Sequence, residues 1–259
     1  MKLLTVLFVF MFSFSITVSK ADDKIGVLLM HGKRGTALPK SPIGGLVDFL
    51  ESNNILVVAP DMPWSREREY DKTFAESLSE IDEHVAALRE KGATKIVIGG
   101  HSLGANVALG YGARREGITG ILAIAPGHVP EIEYFQDKID HDWRRAKKMV
   151  DQGKADQIES FNDVNQGRRR KQEMRAEVYL SWFDPQGPAV MPINIAKLKS
   201  GTSLLWLVGE DDRMYDRGKR YAFNNAPKNK KNMYIVVEGG HKMTPRNGSV
   251  EILRWLGEL

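Results

Sequence analysis

A serine between two glycines is the arrangement in this chain with the clearest chemical use. Gly100-His101-Ser102-Leu103-Gly104 follows an apolar, β-branched run at residues 95–98 and opens a helical pattern at residues 102–115. At a tight strand-to-helix turn only small residues fit two positions before and after the serine, and the hydroxyl is pushed out of the sheet. G-x-S-x-G is common by itself, but in this context it predicts that Ser102 is a nucleophile.

A serine hydroxyl attacks only when a base takes its proton, so the histidines are the next candidates. There are six of them: His31, His84, His101, His128, His141 and His241. His241 follows a strand-like run and Gly240, and strand-end loops are where doubly wound sheets assemble their sites. We therefore predict His241 as the base, with a structural histidine as the alternative. His84 and His141 are expected at the surface, and His101 is expected to point away from the nucleophile.

The base in turn needs a carboxylate that fixes its tautomer and stabilises its cation. Glu210, Asp211 and Asp212 follow the apolar run at residues 203–208. The spacing favours Asp212, which lies beyond the tight turn at the end of that run. Asp211 is the alternative, followed by Glu210 and Asp216. These acids could instead cap the next helix. That role suits one of them and leaves another free to pair with the histidine.

Acyl transfer also requires donors for the oxyanion that forms on the carbonyl oxygen. His31-Gly32-Lys33 follows the first strand-like run, and its glycine lets the backbone approach a ligand. We predict the backbone N–H groups of Lys33 and Leu103 as the oxyanion donors. His31 is expected to brace this loop by hydrogen bonding.

The strands that must position these residues are visible as continuous apolar runs, in which polar and apolar residues do not alternate. Such runs are typical of strands covered on both faces. The runs lie at residues 25–30, 55–59, 95–98, 120–124, 203–208 and 233–237. Helical patterns alternate with them at residues 43–50, 75–90, 102–115 and 249–259. This order predicts an α/β fold with a doubly wound, mostly parallel sheet.

One long segment, residues 125–200, interrupts the alternation of strands and helices and contains no clear strand. Helices are predicted at residues 143–152 and near 167–180, and three prolines then mark an irregular return to the sheet. About 70 residues are too many for a simple connection. We therefore predict a helical cap insertion at about residues 127–200, placed where it can cover the carboxyl ends of the strands.

The first 21 residues have the features of a signal peptide. Met1-Lys2 precedes an apolar stretch, and Ser19 and Ala21 stand three and one positions before a possible cut. The apolar stretch is shorter than the roughly 20 residues of a spanning helix, which disfavours an uncleaved anchor. We predict cleavage after Ala21, one domain over residues 22–259, no stable membrane anchor after cleavage, and a periplasmic or secreted location.

The charge of the chain argues against nucleic acid as a partner. Loss of Lys2 and Lys20, with no acid, would lower the formal net charge from +4 to +2. The remaining excess is sharpest at Arg168-Arg169-Arg170-Lys171. We interpret this run as a solvated helix face; the alternative is a surface that binds anionic envelope polymers. The chain has no cysteine and therefore no disulfide.

Together these residues resemble the α/β-hydrolase family, and the resemblance covers nearly all of the mature chain. The matching pieces are His31-Gly32, Ala59-Pro60-Asp61, Gly100-His101-Ser102-Leu103-Gly104, Gly209-Glu210-Asp211-Asp212 and Gly240-His241, in the family's order of nucleophile, acid and base. By matching position, the resemblance implies Ser102 as nucleophile, Asp212 as acid and His241 as base. It also implies that Lys33 and Leu103 supply the oxyanion donors.

Two departures from the family pattern stand out. The predicted mature chain starts only a few residues before Ile25, so the usual first antiparallel hairpin is expected to be missing or shortened. Lys33 occupies a position where many relatives carry an apolar or small residue. Its cation could favour anionic substrates, but we expect the side chain to point to solvent.

Ser102 also narrows the reaction, because family members that open haloalkanes and epoxides carry an aspartate at this position. A serine favours acyl transfer on a small-molecule ester, with no cofactor and no metal. Thioesterase, peptidase or other acyl-hydrolase activity on the same triad is the alternative. A non-catalytic binding protein on a hydrolase fold is disfavoured, since all three triad positions are present. Residues 64–71 could line the acyl pocket or pack the loop.

Overall fold

A six-stranded parallel sheet forms the centre of the molecule. The computed structural model describes residues 23–259, so the predicted signal peptide at residues 1–21 lies outside the described residues. The strands in chain order are β1 (Ile25–Met30), β2 (Leu56–Val58), β3 (Lys95–His101), β4 (Gly120–Ile124), β5 (Ile158–Asn165), β6 (Arg168–Arg175), β7 (Ser203–Gly209) and β8 (Met233–Val237). The main sheet has the order β2-β1-β3-β4-β7-β8, and every neighbouring pair is parallel. The predicted fold class is confirmed.

Helices cover both faces of this sheet. They are α1 (Gly44–Ser52), α2 (Phe74–Glu90), α3 (Leu103–Gly112), α4 (Glu133–Asp151), α5 (Ala176–Phe183), α6 (Met191–Ala196), α7 (Gly218–Tyr221), α8 (Thr244–Asn247) and α9 (Ser249–Gly257). Alternate side chains of β1 point to opposite faces: Leu28 and Met30 pack beneath α2 and α3, whereas Val27 and Leu29 pack beneath α1 and α9. Each fully buried side chain of this kind stabilises the fold by about 1.5–3 kcal/mol, which explains why the strands appear as continuous apolar runs.

The segment between β4 and β7, residues 125–202, is called the cap segment below. It contains α4, α5 and α6, and also a two-stranded antiparallel hairpin of β5 and β6. The helix predicted at residues 143–152 corresponds to the second half of α4, which begins ten residues earlier and ends at Asp151. The helix predicted near residues 167–180 is wrong over its first half, because residues 168–175 form β6 and α5 begins at Ala176.

The physical reason for this error is that the hairpin buries polar groups. Its inward positions include Asp163 and Gln172, so the apolar alternation that marks a strand is missing. A two-residue loop joins the strands, with Gln166 at φ 50° and Gly167 at φ 77°, the left-handed backbone that tight hairpins require. Residues 168–171 are exposed as predicted, but on a strand instead of a helix.

Within residues 23–259, no helix combines the length and the apolar character needed to cross a bilayer.

Candidate active site

Ser102 stands on the turn between β3 and α3 with a strained backbone, at φ 57° and ψ −117°. The flanking glycines are required by packing. A Cβ atom on Gly104 would lie 2.6 Å from the carbonyl oxygen of Met30, and one on Gly100 would collide with the backbone of Gly104. The turn therefore sits directly against β1, and this close approach aims the Ser102 hydroxyl away from the sheet.

His241 and Asp212 reach Ser102 from the ends of two other strands. The Oγ of Ser102 donates a hydrogen bond to Nε2 of His241 at 2.9 Å, and Nδ1 of His241 donates to Oδ2 of Asp212 at 2.6 Å. Ser102 follows β3, Asp212 follows β7 and His241 follows β8. Because parallel strands end at the same edge of a sheet, three residues far apart in sequence meet in one hydrogen-bonded chain.

Asp212 is held as a carboxylate although its side chain is only 2% exposed. Burial alone would raise its pKa, but hydrogen bonds from His241 and from the backbone N–H of Met214 lower the pKa below its ordinary value. The alternative acids Asp211, Glu210 and Asp216 are exposed, and none of them is bonded to His241 in the described part of the chain.

His101 lies behind the base and holds it in place. The two imidazole rings pack with their centroids 4.8 Å apart, and Nε2–H of His101 donates to the backbone carbonyl of His241 at 2.9 Å. Burial, together with the neighbouring His241, lowers the pKa of His101 to about 3, so this imidazole stays neutral. The sequence contained no signal for this contact, since it joins residues that are 140 positions apart.

The loop after β1 and the start of α3 each present one backbone donor to the cavity. The N–H groups of Lys33 and Leu103 donate to no other group among residues 23–259, and both residues line the cavity above Ser102. His31 braces the loop as predicted: its Nδ1–H donates to the carbonyl of Gly32 at 2.8 Å, and its Nε2 accepts from the backbone N–H of Met62 at 3.0 Å.

The side chain of Lys33 does not point to solvent, so that expectation is wrong. Its Nζ forms an ion pair with Asp163 of β5 at 2.5 Å and donates to Nδ1 of His128 at 3.2 Å. The rings of Phe135 and Phe183 lie within 6 Å of the ammonium. Burial lowers the pKa of Lys33, and the carboxylate of Asp163 opposes that shift. The lysine cation is thus compensated inside the protein, because the hairpin covers it.

Arg34 adds a second connection from this loop to the hairpin. Its Nη1 donates to Oε1 of Gln172 on β6 and to Oε1 of Glu69, each at 2.9 Å. Sequence reasoning missed both Asp163 and Gln172, whose partners are identifiable only once the hairpin is known.

A cavity of about 350 Å³ lies above the Ser102 hydroxyl, between the strand ends and the cap segment. Gly127 keeps it open at the serine, because a Cβ atom there would lie 3.0 Å from Oγ of Ser102. The hairpin turn, including Val164 and Gly167, forms one wall, and Arg213 and Arg217 form another.

Residues 64–71 pack the loop and do not line this cavity. Trp64 and Tyr70 are buried against the ring of Trp182, with centroids 5.6 and 5.5 Å apart. Of the remaining histidines, His141 is exposed as predicted, whereas His84 is partly buried beside Glu80.

No group of three or more histidine or acidic side chains with metal-ligand geometry occurs within residues 23–259. The site offers a serine hydroxyl, an imidazole whose Nε2 accepts the serine proton, a buried carboxylate and two backbone N–H donors. This set is sufficient for addition to a carbonyl carbon with stabilisation of the resulting oxyanion.

Solved structures with the same architecture span nearly the whole chain. Paleococcus ferrophilus monoacylglycerol lipase is 20% identical, with a TM-score of 0.65, over 90% of this chain and 94% of that one. Est1E from Butyrivibrio proteoclasticus is 15% identical, with a TM-score of 0.61, over 92% and 90%. Siderophore hydrolase EstB from Aspergillus fumigatus is 14% identical, with a TM-score of 0.63, over 93% and 92%. At these identities the likeness shows the fold.

Sequence comparison gives the family. No curated protein sequence matches the chain. The profile of the alpha/beta hydrolase family, in contrast, matches residues 27–247, which include every strand of the main sheet except the first two residues of β1. The chain belongs to the alpha/beta hydrolase family.

Proposed function

We propose that this hydrolase is a serine esterase in which Ser102 is the nucleophile, His241 the base and Asp212 the acid. The observation that carries the proposal is the continuous hydrogen-bonded chain from Ser102 through His241 to Asp212, at 2.9 and 2.6 Å, beside a cavity of about 350 Å³. The same constellation of roles recurs in acyl-transferring enzymes on several folds, which supports the assignment by geometry.

The first half-reaction forms an acyl-enzyme. Oγ of Ser102 bonds to the ester carbonyl carbon while its proton passes to Nε2 of His241. The carbonyl electron pair moves to oxygen, and the N–H groups of Lys33 and Leu103 donate to the oxyanion. When the tetrahedral species collapses, the bond to the alcohol oxygen breaks and the alcohol leaves with the proton from His241.

In the second half-reaction water attacks the acyl carbon and gives its proton to His241. The bond to Ser102 then breaks, the serine regains its proton, and the carboxylic acid leaves. The carboxylate of Asp212 keeps Nδ1 of His241 protonated throughout, so that Nε2 is the atom that accepts.

Esters are favoured as the substrate class by the fold relatives, whose names include a monoacylglycerol lipase, and by a second Est1E structure with ferulic acid bound. Thioesters use the same acyl-enzyme chemistry and are the alternative substrate. The binding-protein alternative differs in that it predicts no turnover.

The test is labelling and turnover by the purified protein. A fluorophosphonate probe is expected to label the wild type, and 4-nitrophenyl butyrate is expected to be hydrolysed. Ser102→Ala abolishes labelling and lowers kcat/KM by about 10⁴-fold or more. The exposed Ser200→Ala serves as the matched control and keeps both. A folded wild type with neither labelling nor turnover contradicts the proposal.

Export is the second part of the proposal and rests on the sequence of residues 1–21. The expected mature protein begins at Asp22, and N-terminal sequencing of protein recovered from the extracytoplasmic fraction checks it. Full-length protein retained in the cytosol would contradict export and leave the esterase proposal standing.

A further inference from the structure

We infer that the cavity binds an ester that carries an anionic group, a carboxylate or phosphate, held by Arg213 and Arg217 away from the scissile carbonyl. The inference rests on the proposed function and adds the substrate class to it. Its starting observation is that both arginines line the cavity that contains Ser102 and His241.

The charges around the cavity are not balanced. Lys33 and Asp212 also line it, but each is compensated inside the protein, Lys33 by Asp163 and Asp212 by the imidazole of His241. Arg213 and Arg217 make no ion pair and no side-chain hydrogen bond with any residue in the range 23–259. Two full positive charges are therefore left beside the cavity.

The neighbouring acids do not change this balance. Asp211 and Asp216 flank the two arginines in sequence and are exposed, but neither forms an ion pair in the described residues. The carboxyl of Glu131, on the cap side, accepts a hydrogen bond from the hydroxyl of Tyr221. Burial raises the pKa of Glu131, which favours its neutral form.

The position of each guanidinium fits a ligand that extends from the serine toward the mouth. Arg213 directly follows the acid Asp212, and its guanidinium packs on the hairpin turn at Gly167, where a Cβ atom would collide with it. Arg217 lies near the phenol of Tyr134; burial raises the pKa of that phenol, and the charges of Arg217 and Arg213 oppose the shift. The two cations thus stand on the side of the cavity that faces the cap.

Guanidinium groups recognise carboxylate and phosphate oxygens with two parallel hydrogen bonds, so both oxyanions fit the same pair. An ester without charge would leave both arginines without an ion-pair partner. The ammonium of Lys33 does not serve as this anion site, because Asp163 already compensates it, whereas Arg213 and Arg217 keep their charges available.

The experiment compares matched esters that differ in one charge. The acyl-side pair is mono(4-nitrophenyl) glutarate and 4-nitrophenyl pentanoate; the alcohol-side pair is 4-acetoxybenzoate and its methyl ester. 4-Acetoxyphenyl phosphate, which releases 4-hydroxyphenyl phosphate and acetate, provides the phosphate arm. For at least one pair, the ratio of kcat/KM for the charged over the neutral ester is expected to fall about tenfold in Arg213→Gln and further in Arg213→Gln/Arg217→Gln. Added salt is expected to lower the wild-type ratio.

Arg220→Gln is the matched control, because Arg220 is exposed on α7 and does not line this cavity. Its ratios are expected to equal those of the wild type. Ratios that do not change in Arg213→Gln/Arg217→Gln, or a wild type with no preference for a charged ester in any pair, overturn the inference.

Binding without turnover separates this inference from the esterase proposal. Calorimetry with glutarate, benzoate and phenyl phosphate on the Ser102→Ala protein is expected to show binding that Arg213→Gln/Arg217→Gln removes. Anion binding without ester turnover contradicts the esterase alone. Turnover of neutral esters without anion binding or charge preference contradicts the anion site alone.

Discussion

The strand ends of the main sheet and the hairpin of the cap segment form opposite walls of one cavity, but they are stabilised by different means. Ser102, Asp212 and His241 are placed by the register of buried parallel strands, and a neutral imidazole, His101, supports the base from behind. The hairpin is joined to the loop after β1 by a buried ion pair between Asp163 and Lys33.

This difference in stabilisation separates the positioning of the reacting groups from the shaping of the cavity. Strands with continuous apolar runs are fixed by many small burial contributions, so the reacting atoms keep their positions when one surface residue changes. A hairpin held by charged and amide groups depends on a few specific contacts, so it can vary in sequence and shape the cavity. We therefore expect the strand ends to hold the proposed triad, and the side of the cavity that faces the cap, where Arg213 and Arg217 stand, to set the selectivity.

The largest expected effect concerns the strand ends. Asp212→Asn removes the carboxylate that keeps Nδ1 of His241 protonated, and kcat for 4-nitrophenyl butyrate is expected to fall by about 10⁴-fold. Asp211→Asn, at the exposed neighbouring acid, is the matched control and retains activity. Comparable losses in both variants would contradict the assignment of Asp212 and the contrast drawn here.

The next effect concerns the hairpin. Asp163→Leu leaves the ammonium of Lys33 buried without a counter-charge, which is expected to lower the free energy of unfolding by about 3–5 kcal/mol. Lys33→Met is expected to destabilise the fold by a similar amount, because it leaves Asp163 unpaired. The double variant Lys33→Met/Asp163→Leu removes both charges and is expected to be more stable than either single variant. Urea unfolding of the four proteins measures the coupling, and additive losses would contradict the ion-pair account.

The smallest effect is on pH dependence. As the pH falls, His101 gains a proton only near its pKa of about 3, and the pKa of Asp212 lies below its ordinary value. Burial and the charge of Lys33 hold the pKa of His128 well below the ordinary value as well. His101 and His128 therefore stay neutral in mild acid and add no second proton to the acid limb of the pH profile. The acid limb of log kcat/KM is expected to have a slope of 1, and a slope near 2 would show that a second imidazole of the site titrates.

The sequence was sufficient to predict the main sheet, because each strand is an apolar run and the central strands are buried on both faces. It also placed Ser102, Asp212 and His241 at strand ends, where the structure brings them within hydrogen-bonding distance. It could not predict the hairpin, whose buried positions hold Asp163 and Gln172. In a sequence, a buried polar residue cannot be distinguished from a surface residue until its partner is known. The partner of Asp163 is Lys33, 130 positions away, and the partner of Gln172 is Arg34, 138 positions away.

The same limit explains the wrong expectation for Lys33. A lone lysine in a loop is usually solvated, and the burial of Lys33 depends on the counter-charge of Asp163, a partner that the sequence did not reveal. Two arginines remain exposed at the cavity. Arg213 directly follows the predicted acid Asp212 and Arg217 follows it at a longer spacing, but no spacing rule assigned either of them a role.

The contact between Arg213 and the hairpin turn at Gly167 has a consequence for the speed of substrate entry. A cap held by buried contacts to the loop after β1 would open slowly, on the microsecond-to-millisecond scale of segment motions. The exposed side chain of Arg213, however, packs on the hairpin turn at Gly167, and exposed side chains change rotamer within nanoseconds. If substrate enters past this side chain, its exchange is expected to be fast compared with acyl transfer, and turnover by the proposed esterase is expected not to depend on solvent viscosity.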